Sequence, residues 1–162
     1  MSSPSLGTLD ALSKVYGCDA DLEANGVWIQ VQLDLLPPGR QHPEFLVARQ
    51  NKSNRKYVAM AQAQAKRLGR KVDLGLIKPE ELTKSNLILF VLSCIKDWRH
   101  IYDAAGNLVA YDSDLCRRFF EANDDVYTYL NSESQSNARY QIRDAEAIET
   151  VVGESAIISA GN

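Results

Sequence analysis

The centre of the chain reads PEELTKSNLILFVLSCIKDWRHIYDAAGNLVAY, residues 79–111. Its proline suits the first turn of a helix, and the two glutamates that follow lie favourably near the positive amino-terminal end of that helix. The apolar run at residues 87–92 is far shorter than the roughly 20 residues of a membrane-spanning helix. We therefore predict that a helix runs from Pro79 to about Trp98 and forms the centre of the core.

The residues after this helix predict a corner between two helices. Trp98 would place its large indole at the boundary of the core. The chain would then form a tiny hairpin over residues 101–111, and Asp112 or Ser113 would cap the next helix. We assign this structural corner to Asp97, Trp98, Asp103, Gly106 and Tyr111.

The amino-terminal part of the chain carries the pattern of a β-hairpin. Residues 27–33 alternate between an aliphatic face and a face of Trp28 and two glutamines, which is the period of a strand. Residues 44–49 form a second such run, after a Pro-rich loop at residues 35–42. Before this hairpin, residues 9–16 have the spacing of one weak helix.

The remaining elements follow from a period of 3.6 residues. Residues 53–68 carry an apolar stripe opposite lysines and arginines, with Gly69 as a stop signal, and another helix is predicted from about residue 124 toward Tyr140. The fold class is therefore α+β: an antiparallel β-hairpin packed on a mostly helical body of four to five helices. Residues 1–140 would form a single domain, and residues 141–162 a tail that is loosely docked or disordered.

Charge is distributed unevenly along the chain. The net charge is −3, yet residues 49–71 contain eight basic and no acidic side chains. This basic segment is interpreted either as a solvated helix face, as a surface for an acidic protein partner or as a nucleic-acid contact, and the acidic flanks disfavour nucleic acid. The candidate partner-binding residues are Arg49, Lys52, Arg55, Lys56, Lys66 and Arg67.

No pattern in the chain indicates catalysis or a bound cofactor. Ser93, His100 and Asp103 are the residue types of a hydrolase triad, but the known triads draw their members from separate elements. Three widely spaced cysteines and two histidines lack the spacing of a metal site. We therefore expect no enzymatic activity, no cofactor and no metal. The start of the chain lacks an export signal, so we also expect a cytosolic protein with no membrane partner.

The segment Asp97-Trp98-Arg99-His100-Ile101-Tyr102-Asp103-Ala104-Ala105-Gly106-Asn107-Leu108-Val109-Ala110-Tyr111 resembles the tail assembly chaperones of long-tailed bacteriophages. In that family an apolar helix ends in a tryptophan, a short turn follows, and a capped helix comes next. Other cues agree in order: Gly26-Val27-Trp28 opens a strand, Asn54-Arg55-Lys56-Tyr57 opens a helix, and Asn137-Ala138-Arg139-Tyr140 resembles the close of the family's last helix.

This resemblance implies a protein that binds the tape measure protein, and as a second partner the tail tube protein, during tail assembly. Such a chaperone would act in the cytoplasm of the bacterial host and be absent from the mature virion. Two alternatives stay open: a structural tail or baseplate component that remains in the virion, and a nucleic-acid-binding module that uses residues 49–71. Self-association is left open as well.

Overall fold

The computed structural model describes residues 17–141. Ala20–Tyr140 form one compact unit; residues 17–19 and 141 belong to a second unit, in which Cys18 and Gln141 form an antiparallel bridge. The α+β prediction is confirmed, with five α-helices and one three-stranded antiparallel sheet in the described residues. The elements are α1 (Ala20–Asn25), β1 (Val27–Gln30), β2 (Glu44–Val47), α2 (Arg55–Asp73), α3 (Pro79–Ser93), β3 (Ile95–Arg99), α4 (Ser113–Ala122), α5 (Asp124–Glu133) and a 3₁₀ turn (Asn137–Arg139).

The predicted β-hairpin is present as β1 and β2. The strands pair antiparallel with Ile29 opposite Phe45, and both side chains are fully buried. Trp28 lies on the other face, where the guanidinium carbon of Arg99 sits 4.1 Å from the centre of its ring. The sheet therefore has one face in the core and one polar face, as the alternation of the sequence requires.

The sheet has a third strand, which corrects the predicted helix from Pro79 to Trp98. The helix ends at Ser93, and β3 pairs antiparallel with β2, so that Trp98 lies opposite Phe45. An irregularity in this pairing, a β-bulge, places Leu46 opposite Asp97 but Val47 opposite Ile95. The bulge turns two side chains three residues apart, Ile95 and Trp98, toward the core.

Aromatic side chains fill the space between the sheet and the helices α3, α4 and α5. The ring centre of Phe45 on the sheet lies 5.5 Å from that of Phe120 on α4. Phe120 lies 6.2 Å from Phe90 on α3, whose ring is 5.5 Å from Tyr127 on α5. Each buried aromatic ring contributes about 2 to 3 kcal/mol of hydrophobic stabilisation, so this cluster is the main anchor of the fold.

Helix α2 is defined by a cap at each end. Its amino-terminal cap is Asn54, whose side chain accepts a hydrogen bond from the amide of Tyr57 and donates one to the carbonyl oxygen of Ser93, at 3.1 and 2.9 Å. At its other end Gly75 adopts a positive φ of 66°, with the paired backbone hydrogen bonds of a Schellman motif. The predicted stop at Gly69 is wrong, because a single glycine with helical neighbours lowers helix stability without ending the helix.

The end of the described chain also differs from the prediction. Helix α5 ends at Glu133 and does not continue toward Tyr140. Tyr140 is fully buried, and its hydroxyl donates a hydrogen bond of 3.0 Å to the carbonyl oxygen of Val47. The predicted weak helix at residues 9–16 and nearly all of the predicted tail lie outside the described residues.

Helix α1 is tied to the loop after β2 by a buried carboxylate. Glu23 is 5% exposed and forms an ion pair of 2.8 Å with Arg49. It also accepts hydrogen bonds from the side chains of Asn51 and Ser53. With three donors around it, this carboxylate holds the loop that leads into α2.

Candidate partner-binding surface

Helix α2 is long, basic and largely uncovered. Leu68 is the one buried side chain among its 19 described residues. It carries six basic residues and one acidic residue, Asp73. Among the described side chains, only Lys71 of these six cations pairs with a carboxylate, that of Glu81 at 3.0 Å. The helix thus presents a positive charge that the described part of the protein leaves uncompensated.

The six cations predicted to bind a partner lie in different parts of the structure. Arg49 lies outside α2, in the ion pair with Glu23 and 5.6 Å from the ring centre of Tyr140. Lys52 precedes the helix and is exposed. The other four are exposed on α2, two in its first turn and two in its middle: Arg55, Lys56, Lys66 and Arg67.

Polar pairs, spaced three or four residues apart on α2, join it to α3. Gln64 donates to Asn86 at 2.7 Å, and Arg67 donates to the hydroxyl of Ser85 at 3.1 Å. The ion pair of Lys71 and Glu81 continues this row toward the tip of the hairpin. A seam of polar pairs therefore runs along the contact between the two helices.

Three open grooves along α3 meet at Ile88. Two lie between α2 and α3, with volumes of about 330 and 250 Å³, and the third lies between α3 and α4, with about 210 Å³. We call these three neighbouring grooves, whose linings share Ile88, the Ile88 trough. Around half-buried Ile88 it is lined chiefly by Met60, Arg67, Ser85, Leu89, Leu92 and Arg117.

The tip of the α2–α3 hairpin exposes aliphatic side chains. Val72 is 49% exposed, Leu74 61% and Leu76 68%. Adjacent exposed apolar side chains of this kind mark interaction surfaces more often than isolated ones do. The sequence signal for this surface is a leucine on either side of Gly75, at a point where a loop is normally polar.

The five residues of the predicted corner do lie together, but between a strand and a helix. Trp98 donates an indole hydrogen bond of 2.8 Å to the carbonyl oxygen of Val109, and its ring meets that of Tyr111 edge-on at 5.3 Å. Asp103 accepts a bond from the amide of Asn107, and this bond lowers its pKa. These contacts fasten the turn to the core.

Gly106 and Asp97 complete the corner. Gly106 has a positive φ of 87°, and a Cβ at this position would lie 2.9 Å from a guanidinium nitrogen of Arg40. The carboxylate of Asp97 accepts a bond from the amide of Trp98 at 2.8 Å. Every one of these side-chain contacts is internal to the fold, so the corner has the properties of a structural element.

The described residues show no activated nucleophile. Burial raises the pKa of the Cys94 thiol to about 11 and that of Cys116 to about 12, so both thiols stay protonated at neutral pH. Over residues 17–141, no group of three or more histidine, cysteine or acidic side chains could hold a metal ion. Among the helices described, none is both long and apolar enough to cross a membrane.

Comparison with known proteins gives one match. A family model described as YdaY prophage protein matches residues 44–150, well over half of the 162 residues. The matched region begins at β2 and includes the α2–α3 hairpin, the Ile88 trough and the corner. No curated protein and no solved structure matches the chain.

Proposed function

The chain belongs to the YdaY prophage protein family and is therefore phage-related, and from this premise we propose that it is a tail assembly chaperone. It would bind the tape measure protein during tail assembly, with the tail tube protein as a second partner and without catalysis. It would act in the cytoplasm of the bacterial host and leave before the virion is complete.

The observation that supports this proposal most is the α2–α3 hairpin. The hairpin combines uncompensated positive charge on α2 with exposed aliphatic side chains at Val72, Leu74 and Leu76. A chaperone for a long helical protein needs both properties: apolar surface to cover the partner's apolar stripe and charge to keep the complex soluble and oriented.

Co-expression with the tape measure protein of the same prophage tests the proposal. We expect the tape measure protein to be soluble and to copurify with this chain, and to aggregate when expressed alone. A variant with Leu74→Ser and Leu76→Ser should lose this effect, whereas Leu108→Ser, an equally exposed leucine outside the hairpin, should keep it. An insoluble tape measure protein in the presence of excess wild-type chain would refute the proposal.

Mass spectrometry of purified particles distinguishes the chaperone proposal from the alternative that the protein is a virion component. A chaperone that leaves should be absent from them, or present far below one copy for each tail subunit. Stoichiometric presence would instead favour the structural tail or baseplate alternative.

The positive charge of α2 also favours a second candidate, a nucleic-acid-binding module. Exposed cations such as Arg55, Lys56 and Lys66 would contact phosphates, and such binding weakens steeply as salt rises. The exposed leucines of the hairpin tip have no role in phosphate binding, so we place this candidate second. A fluorescence anisotropy titration with a 20-base-pair duplex at low salt tests it, since absence of binding would remove this candidate.

A further inference from the structure

The Ile88 trough has the shape and charge to receive one amphipathic helix. We propose that an α-helix with an apolar stripe and acidic residues on its flanks docks in this trough, lying on α3 between α2 and α4. The inference deepens the proposed function and rests on it only in taking the partner to be a helical protein; its test below is independent of any named partner.

The length of the trough fits a helix. Its lining on α3 extends from Glu81 to Leu92, and at 1.5 Å per residue this is about 17 Å, or three helical turns. Three separate open grooves of about 210 to 330 Å³ around Ile88 suit the successive side chains of a helix, whereas a small molecule normally binds in one enclosed concavity.

The floor of the trough is apolar and incompletely covered. Ile88 and Leu89 are half-buried, and Leu92 is 38% exposed. These side chains belong to a helix that is apolar nearly all round, and such a helix is normally covered on every side. The described neighbours α2 and α4 flank this stretch of α3 without closing over it, so a partner helix would complete its burial.

Two unpaired cations at the trough, Arg67 and Lys84, favour a partner helix with acidic flanks. Arg67 is bound only to the neutral hydroxyl of Ser85, and among the described residues no carboxylate forms a salt bridge with Lys84. By contrast, the two acids at the trough are already neutralised, Glu81 by Lys71 and Asp114 by Arg117 and Arg118. The arginines also lower the pKa of Asp114, so its charge stays compensated. Unpaired charge at the trough is therefore positive.

An apolar floor beside the unpaired cations Arg67 and Lys84 distinguishes this partner from a nucleic acid. A phosphate backbone would contact the cations but would bury no apolar surface on Ile88 and Leu92. A helix with leucines at i, i+4 and i+7 and glutamates beside them would bury the apolar side chains of α3 and pair with the unpaired cations at the same time.

The test uses three fluorescein-labelled helical peptides of 15 residues and the full chain. The first carries a leucine stripe flanked by glutamates, the second replaces the glutamates with lysines, and the third replaces the leucines with serines. Fluorescence anisotropy should show the first binding about tenfold or more tightly than either of the others, as expected for two partly exposed ion pairs together with buried leucines. Equal binding of all three, or no binding of the first, overturns the proposal.

Matched variants locate the site. Arg67→Glu with Lys84→Glu should reverse the preference in favour of the lysine peptide. Arg40→Glu with Lys96→Glu makes the same charge change on two side chains that line none of the three grooves, and it should shift affinity less than threefold. An equal loss in both double variants would show that binding depends on net charge alone, which overturns the trough as the site.

Apolar variants provide a second, independent measurement. Leu92→Ser should weaken the acidic peptide severalfold, and Leu108→Ser, an exposed leucine of the corner, should not. Circular dichroism melting of each variant checks that it is folded. Displacement of the bound acidic peptide by a duplex oligonucleotide at equal charge concentration would assign the trough to polyanions and overturn the proposal.

Failure of this inference and failure of the proposed function give different results. If the variant with Arg67→Glu and Lys84→Glu still solubilises the tape measure protein, the chaperone proposal stands and the trough is not its site. If the wild-type chain binds the acidic peptide but leaves the tape measure protein insoluble, the trough stands and its partner is a different acidic helix.

Discussion

The sheet and helix α2 both carry apolar side chains, but the sheet buries its apolar face and α2 leaves most of its residues exposed or half-buried. In the sheet, Ile29, Phe45 and Val47 are fully buried and make one core with α3, α4 and α5. In α2, one of 19 residues is buried, and a row of polar pairs holds the helix in place. The difference indicates that the sheet and the buried face of α3 provide stability, whereas the exposed face of α2 and the hairpin tip can change with little effect on folding.

The largest effect is expected from Trp98 in the sheet. Trp98→Ala removes a side chain that is 6% exposed and its hydrogen bond to Val109, and it should lower the free energy of unfolding by roughly 4 kcal/mol. Trp28→Ala is the control, because Trp28 is 36% exposed and should cost about 1 kcal/mol with its cation–π contact. Urea denaturation measures both, and equal losses would contradict the assignment of Trp98 to the core.

Substitution of Glu23 tests whether its buried carboxylate on α1 holds the loop that leads into α2. Glu23→Ala removes the ion pair with Arg49 and the acceptor for the side chains of Asn51 and Ser53, and it should lower the free energy of unfolding by roughly 3 kcal/mol. Glu23→Gln, which retains an acceptor oxygen, should lose less. Denaturation monitored by circular dichroism gives the values, and an effect of Glu23→Ala below about 0.5 kcal/mol would show that this contact does not hold the loop.

Alkaline pH should weaken the core, because two buried thiols lie in it. Burial raises the pKa of Cys94 from 9.0 to about 11 and that of Cys116 to about 12. Between pH 9 and 11 the unfolded thiols lose their protons while the folded ones keep them, so stability present below pH 9 falls as pH rises, by roughly 1 kcal/mol per thiol at pH 10.

Urea midpoints at pH 8, 9 and 10 measure this loss. A chain with Cys94→Ala and Cys116→Ala is the control and should show a shallower pH dependence. The same slope in both chains would contradict a role for the two buried thiols.

The smallest effect is expected at the hairpin tip. Leu74→Ser with Leu76→Ser removes apolar side chains that are already in water, so the free energy of unfolding should change by less than about 0.5 kcal/mol. Thermal melting measures this change. A loss near 2 kcal/mol would mean that the tip is packed in solution, and it would remove the contrast between the hairpin and the sheet.

Much of the fold could be predicted because its signals are local. Each of these features depends on neighbours a few residues apart: the alternation at residues 27–33, the Asp112 cap, Pro79 at the start of α3 and the small hairpin at Tyr102 and Leu108. The candidate site was less predictable. The basic character of α2 is visible in composition, but the meeting of three grooves at Ile88 depends on how α2 and α4 pack on α3.

The sequence by itself determined the fold class, the β1–β2 hairpin, the starts of α3, α4 and α5 and the concentration of positive charge at residues 49–71. Only the tertiary structure decided that Ile95–Arg99 is a strand. Ile95 and Trp98 stand three residues apart, which is the spacing of a helix face, and a β-bulge gives a strand the same spacing. The backbone groups at the edge of β2 favour the strand over the helix for Ile95–Arg99, because they pair with β3 and would otherwise lack these hydrogen bonds.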